Sequence, residues 1–247
     1  MGKRILDINC DVGEGIGNEA RLFPFISSCN IACGGHAGDP ETMRAIVLLA
    51  KKHRLKLGAH PSYPDREHFG RVTVDMPGPQ FCHSIREQLS TLQQIAKEEK
   101  ASLHHIKAHG ALYNDLAGDV ALAGRYLECL EPYRTRCALY APYGSEIARA
   151  AAGRGFRVIF EAFGDRRYAT ASRLASRKLP GAVINDPEQV LDQLLLMYQD
   201  RKVQTLEAGE QPIEAATFCI HGDTPAALQI LAYLAAELPQ YGIYLKE

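Results

Sequence analysis

The stretch that decides the fold is Ile5-Leu6-Asp7-Ile8-Asn9-Cys10-Asp11-Val12. Leu6, Ile8 and Cys10 alternate with Asp7, Asn9 and Asp11, and a period of two marks a strand with one apolar and one polar face. Parallel strands usually read as unbroken apolar runs, so a polar face here aims side chains into an enclosed interior at a desolvation cost that calls for a compensating use. The pattern returns downstream. Leu55, Leu57 and Ala59 oppose His60; Ile106 and Ala108 oppose Lys107 and His109; Phe218 and Ile220 oppose His221.

Outward from this strand, short apolar runs alternate with helix-like segments along the chain: ILDINCDV (5–12), SCNIACGG (28–35), KLGAHP (56–61), LHHIKAHG (103–110), RCALYAP (136–142), RVIFEAF (157–163), GAVIND (181–186) and TFCIHGDT (217–224). Such alternation predicts βα units around a parallel sheet. Asp39-Pro40, Asp186-Pro187 and Thr224-Pro225 each set a capping side chain before a proline suited to a first helical turn. No linker or compositional shift divides the chain. The reading is α/β: residues 1–247 as a single-domain, irregular (β/α) barrel of about seven or eight strands, with an open doubly wound sheet as the alternative. Either architecture gathers the polar side chains at the C-terminal ends of the strands.

Composition agrees. The chain has 247 residues, 46% hydrophobic and 23% charged, which excludes disordered and fibrous classes and suits one barrel of roughly 250 residues. A net charge of −1 provides no basic field for nucleic acid. The opening MGKRILDINCD lacks the apolar core of an export signal, and no run approaches the roughly 20 residues of a membrane span, so a cytoplasmic protein is expected. Seven cysteines, at 10, 29, 33, 82, 129, 137 and 219, form neither a disulfide framework nor zinc knuckles and read mostly as reduced, buried packing groups.

HAGDP (36–40) and HGDTP (221–225) echo each other between a strand end and a helix start. Asp39 and Asp223 read as N-caps, and His36 and His221 as functional imidazoles. Asp7, Asn9 and Asp11, beside Glu14, form either a polar filling of the lumen or a pair of carboxylates able to supply a general base. Asp11 with His36 and His60 is a candidate divalent-metal set, thinly signalled because no HExxH spacing exists. Lys107 shares its face with His109, with Tyr113 and Asn114 just beyond; a lysine in a lumen needs a carboxylate such as Asp11 or a substrate oxygen. Asp165, Arg166 and Arg167 follow a strand, where an arginine fork suits a carboxylate or phosphate, so the substrate is expected to be a small anion. Arg173, Arg177 and Lys178 read as a solvated face, His53, His68, His83 and His104 as surface or core-edge residues, and Cys219 as packing rather than a nucleophile.

DINCDVGEG, NIACGGHAGDP, GAHPSYPD, KAHGALYN, FGDRRY and CIHGDTP, in this order from about Asp7 to the C-terminal helix, resemble the LamB/YcsF family. The family pattern usually carries Phe where Gly35 stands, Gly at Ser62, Pro at Ala108 and Ala at Gly164. The resemblance implies a barrel similar to those of glycoside hydrolases and deacetylases. It also implies a component of an ATP-dependent 5-oxoprolinase, opening the 5-oxoproline lactam to L-glutamate together with two partner subunits. Arg166 or Arg167 would then clamp the carboxylate, Asp11 or an imidazole act as base, and Lys107 or His109 meet the carbonyl oxygen. The chain has no GxxxxGK[ST] loop, so ATP is expected to be used on the partners. Two alternatives remain open: a metal-dependent amidohydrolase or carbohydrate deacetylase, and a non-catalytic component that binds a small anion.

Overall fold

The structure is a computed structural model and describes residues 4–224 and 226–245. The strands are β1 (Arg4–Ile5), β2 (Ile8–Val12), β3 (Ser28–Ala32), β4 (Lys56–His60), β5 (Leu103–Ile106), β6 (Ala138–Pro142), β7 (Val158–Phe163), β8 (Tyr168–Thr170), β9 (Arg173–Leu174), β10 (Lys202–Thr205), β11 (Gly209–Pro212), β12 (Thr217–Cys219) and β13 (Ile243–Tyr244). The helices are α1 (Glu19–Leu22), α2 (Pro40–Lys52), α3 (Gly78–Glu98), α4 (Gly110–Gly118), α5 (Val120–Leu130), α6 (Glu146–Gly153), α7 (Pro187–Gln199) and α8 (Ala227–Glu237). Strands β2 to β7 are parallel neighbours in sequence order, and β12 closes the ring by pairing with both β7 and β2. Closure rules out the open sheet, and the barrel has seven strands.

The eighth apolar run, GAVIND, is not a barrel strand. Its Val183 makes a single antiparallel bridge to Arg166, and β8 to β11 form a separate four-stranded sheet. Asp39 and Asp186 cap α2 and α7, accepting from the amides of Thr42 at 2.8 Å and Glu188 at 3.0 Å. The third expected cap is not one: α8 begins at Ala227, and the Thr224 hydroxyl donates back to the His221 carbonyl at 3.1 Å. Pro225 lies outside the described residues. Cys82 of α3 and Cys129 of α5 are joined as a disulfide, an exception to the reduced reading, while the other five cysteines are free and buried. No helix among the described residues is long and apolar enough to cross a membrane.

The period of two sorts the strands as expected. Ile8, Cys10, Cys29, Ile31, Leu57 and Ala59 are buried with Met43, Ile46 and Val47 of α2 in the apolar layer. Polar side chains fill the interior. The Asn30 amide donates to Asn9 Oδ1 at 2.7 Å and Asp11 Oδ1 at 2.8 Å, Asn9 donates to the Thr217 hydroxyl at 2.9 Å, and His105 Nε2 meets Asn30 Oδ1 at 2.7 Å. Gly58 is required here, because a Cβ at that position would stand 2.0 Å from the His105 ring.

Candidate functional site

Side chains from five strand ends converge above this filling. Lys107 is 2% exposed, and its Nζ lies 3.1 Å from Asp11 Oδ1, 2.8 Å from Glu161 Oε1 on β7, and 3.2 Å from Cys219 Sγ. Burial opposes the charge, but the adjacent Asp11 and Glu161 outweigh it and hold the ammonium well above the ordinary lysine range. Burial likewise opposes ionisation of Asp11, and His60 and Lys107 reverse the effect, keeping its carboxyl well below the usual range.

A second group adjoins the first. His60 Nε2 lies 3.3 Å from Asp11 Oδ2 and 3.0 Å from His109 Nδ1, and His109 Nδ1 lies 3.5 Å from Glu14 Oε1. The same Glu14 oxygen lies 2.9 Å from His36 Nε2, while His36 Nδ1 meets the Ser62 hydroxyl at 3.0 Å. Burial, with Asp11 close by, pushes Glu14 up to about 7. Burial also drives His36 down to about 2 and His109 well below the imidazole range, so both rings are neutral near pH 7. Gly70, at φ 62°, lets the segment after β4 cross above these rings; a Cβ there would lie 3.0 Å from both His36 and His109.

The third group is Asp165 with His221. Asp165 accepts from the His221 backbone amide at 2.8 Å and meets its Nδ1 at 2.9 Å. Burial works against its charge, and the bonds to His221 overcome it, lowering its pKa. Arg166 is buried beside them, donating through one terminal nitrogen to the Ala175 carbonyl at 2.7 Å, while its Nε has no partner. Burial and the nearby Arg177 push its pKa down to about 10. Over the rim, Asp223 pairs with Arg71 and, at 3.6 Å, with Arg177.

Of the sequence candidates, the structure brings together Asp11, His60, Lys107 and His109, with Asn9 beneath Lys107, His36 behind Glu14, and His221 held by Asp165. Tyr113 packs edge-on to Phe163 with its hydroxyl beside Glu161. Three candidates lie elsewhere. Asp7 sits at the opposite end of the barrel, bonded to Thr217, Ser28 and Lys56, because it is four residues upstream of Asp11 on the same face. Asn114 is exposed and donates to its own helix at Gly110. Arg167 turns outward from Arg166 to Gln189, so the two arginines form no fork.

Two surface readings also change. Asp223 is a rim ion-pair partner rather than a cap, and Arg177 belongs to the rim, whereas Arg173 pairs with Glu207 in solvent. The metal set shifts as well: both His36 nitrogens are engaged elsewhere, and the oxygen and nitrogen atoms that cluster belong to Asp11, Glu14, His60 and His109. Sequence reading missed Glu161, Ser62, Arg71 and the role of Glu14. Glu161 had a usable signal, as the one acidic residue within the apolar run RVIFEAF.

Comparison with known proteins agrees with this architecture. The chain is 39% identical over 246 residues to a 5-oxoprolinase subunit of Symbiobacterium thermophilum, covering 97% of this chain and 94% of that one. It is also 39% identical to a 5-oxoprolinase subunit of Shouchella clausii, over 98% of this chain and 97% of that one. The crystal structure of a lactam utilization protein from Thermus thermophilus superposes with a TM-score of 0.89 at 34% identity, covering 98% of each chain. A putative cellobiose-phosphate cleavage protein from Enterococcus faecalis shares the fold alone, at a TM-score of 0.61 and 13% identity. With the LamB/YcsF family model matching residues 6–247, the chain belongs to the LamB/YcsF family.

Proposed function

We propose that this chain is the lactam-opening component of a cytoplasmic, ATP-dependent 5-oxoprolinase, working with two partner subunits that use the ATP. The observation that carries the reading is Lys107, a buried ammonium set between two carboxylates, Asp11 and Glu161, at the C-terminal end of a barrel. The names of the relatives at 39% identity support the substrate class.

A five-membered lactam is a resonance-stabilised amide, and 5-oxoproline carries a carboxylate next to the ring nitrogen. Opening it breaks the C–N bond, adds the hydroxyl of water to the carbonyl carbon, and delivers a proton to nitrogen. Arg166, whose Nε lacks a partner, suits the carboxylate. Lys107 suits the developing oxyanion, since a pre-charged donor in a dry site needs little reorganisation. Asp11, kept ionised, or His60 beside it suits the removal of a proton from water. Tyr113 lines the same wall from its place beside Glu161.

The test is glutamate release from 5-oxoproline and ATP by the chain alone, the partner subunits alone, and the mixture, with ADP counted. Turnover is expected only in the mixture, and it is expected to fall at least a thousandfold with Lys107→Met. Unaltered turnover with that variant would favour a purely ligand-binding role for this chain.

A further inference from the structure

We propose that Asp11, Glu14, His60 and His109 form a binding site for one divalent transition-metal ion, with zinc the favoured occupant. The inference concerns the binding chemistry of these four side chains; Asp11 and His60, named above as candidate bases, would serve as ligands instead while an ion is bound, and the test below reads binding without the reaction.

The argument begins with two imidazoles that cannot satisfy each other. His60 Nδ1 lies 2.8 Å from the Lys107 carbonyl, and His109 Nε2 lies 2.9 Å from the Phe69 carbonyl. A carbonyl only accepts, so both of those nitrogens carry a proton, and whenever each ring holds only that one proton its other nitrogen is left with a lone pair. The two remaining nitrogens, His60 Nε2 and His109 Nδ1, face each other at 3.0 Å. Two lone pairs at that separation repel unless something positive sits between them and their neighbours. The neighbours are carboxylate oxygens: Asp11 Oδ2 at 3.3 Å from His60 Nε2, and Glu14 Oε1 at 3.5 Å from His109 Nδ1. All four atoms lie within 4.8 Å of one another.

The spacing fits an ion. Zinc binds imidazole nitrogen and carboxylate oxygen at roughly 2.0–2.1 Å, which places the corners of a tetrahedron about 3.3 Å apart. The three separations above, 3.0, 3.3 and 3.5 Å, fall around that value. The outer contacts of the two imidazoles are those that ligating residues ordinarily have, each histidine donating its other N–H to a backbone carbonyl. Nitrogen donors exclude magnesium and calcium as natural occupants and favour zinc and its neighbours. A second grouping, Asp11 with Cys219 and His221, fits less well, because the Cys219 sulfur lies 3.2 Å from the Lys107 ammonium. The competing explanation for the close nitrogens is a single proton held between them.

The experiment uses the full chain, stripped with a chelator and titrated with zinc against a chromophoric competitor, without substrate, nucleotide or partners. One zinc per chain is expected, with affinity falling at least a hundredfold in His109→Ala and at least tenfold in the near-isosteric Glu14→Gln, whose native circular dichroism separates ligand loss from misfolding. His83→Ala, exposed on α3, is expected to change nothing. Cobalt in place of zinc is expected to show a four-coordinate visible spectrum without a thiolate charge-transfer band. No binding above that of a chain lacking both histidines, equal affinity in Glu14→Gln, or a thiolate band would each overturn the assignment. A shared-proton signal between the two ring nitrogens in nitrogen NMR that persists with zinc present would do the same.

Discussion

The imidazoles of His36 and His109 lie face to face, their centroids 3.6 Å apart and their planes 2° from parallel. Parallel rings at that distance tolerate no pair of positive charges, and burial holds both neutral. The stack fixes the plane of His109, and therefore the direction of its Nδ1, from a residue that reaches the barrel on a different loop.

Replacing His36 by leucine removes both the stack and the partner of the buried Glu14 carboxyl. Losing a partner from a buried polar group costs about 1–3 kcal/mol. The urea midpoint of His36→Leu is expected to fall accordingly, with an unchanged slope. A midpoint equal to that of the parent would show that the stack positions nothing.

Asp223 ties the rim together through Arg71 and Arg177. Rim ion pairs of this exposure contribute at most about 1 kcal/mol, so Asp223→Asn should barely move global stability. Its effect should be local. The segment containing Arg66 and Arg71 should become several-fold more sensitive to trypsin, read by mass spectrometry of early cleavage products, and equal cleavage rates would remove the rim from the account.

Asp165 gives a pH signature. Its folded pKa is lowered relative to the unfolded carboxyl, so its contribution is complete above the unfolded value of about 3.9 and is lost as pH falls through the folded value. Asp165→Asn is expected to lower stability by about 1–3 kcal/mol near neutrality, through its bonds to His221. The difference from the parent should narrow in denaturation curves taken below about pH 4. A gap that stays constant down to about pH 2 would contradict the assigned direction.

Gly35 lies against Ser62 and Gln88. A Cβ on Gly35 would stand 2.4 Å from the Ser62 hydroxyl and 2.5 Å from Gln88 Oε1. Gly35→Ala should therefore cost about 1–3 kcal/mol through overpacking. Ser62→Gly in the same chain should recover part of that loss, read as a coupling energy in a double-mutant cycle. Additive effects would mean the two positions are uncoupled.

The inward face of the barrel was legible in the amino-acid order because alternation is a local property. In ILDINCDV the polar set was correct as a face, but alternation carries no depth: Asp7 and Asp11 point the same way and lie at opposite ends of the lumen. Arg166 and Arg167 illustrate the converse, since successive side chains of an extended segment diverge and adjacency in sequence separates them in space. GAVIND has a strand's composition, yet Val183 makes only one bridge, and short apolar runs do not declare their partners. Glu161 was concealed inside a run read as uniformly apolar, and its pairing with Lys107 joins residues far apart in the chain.

Gly58, by giving the His105 ring its room, seals the floor of the barrel: Asn9, Asn30, His105 and Tyr140 fill the interior beneath Lys107. With the interior filled from below, Lys107 is approached only from the C-terminal ends of the strands, the side on which the rim pairs of Arg71, Arg177 and Asp223 stand.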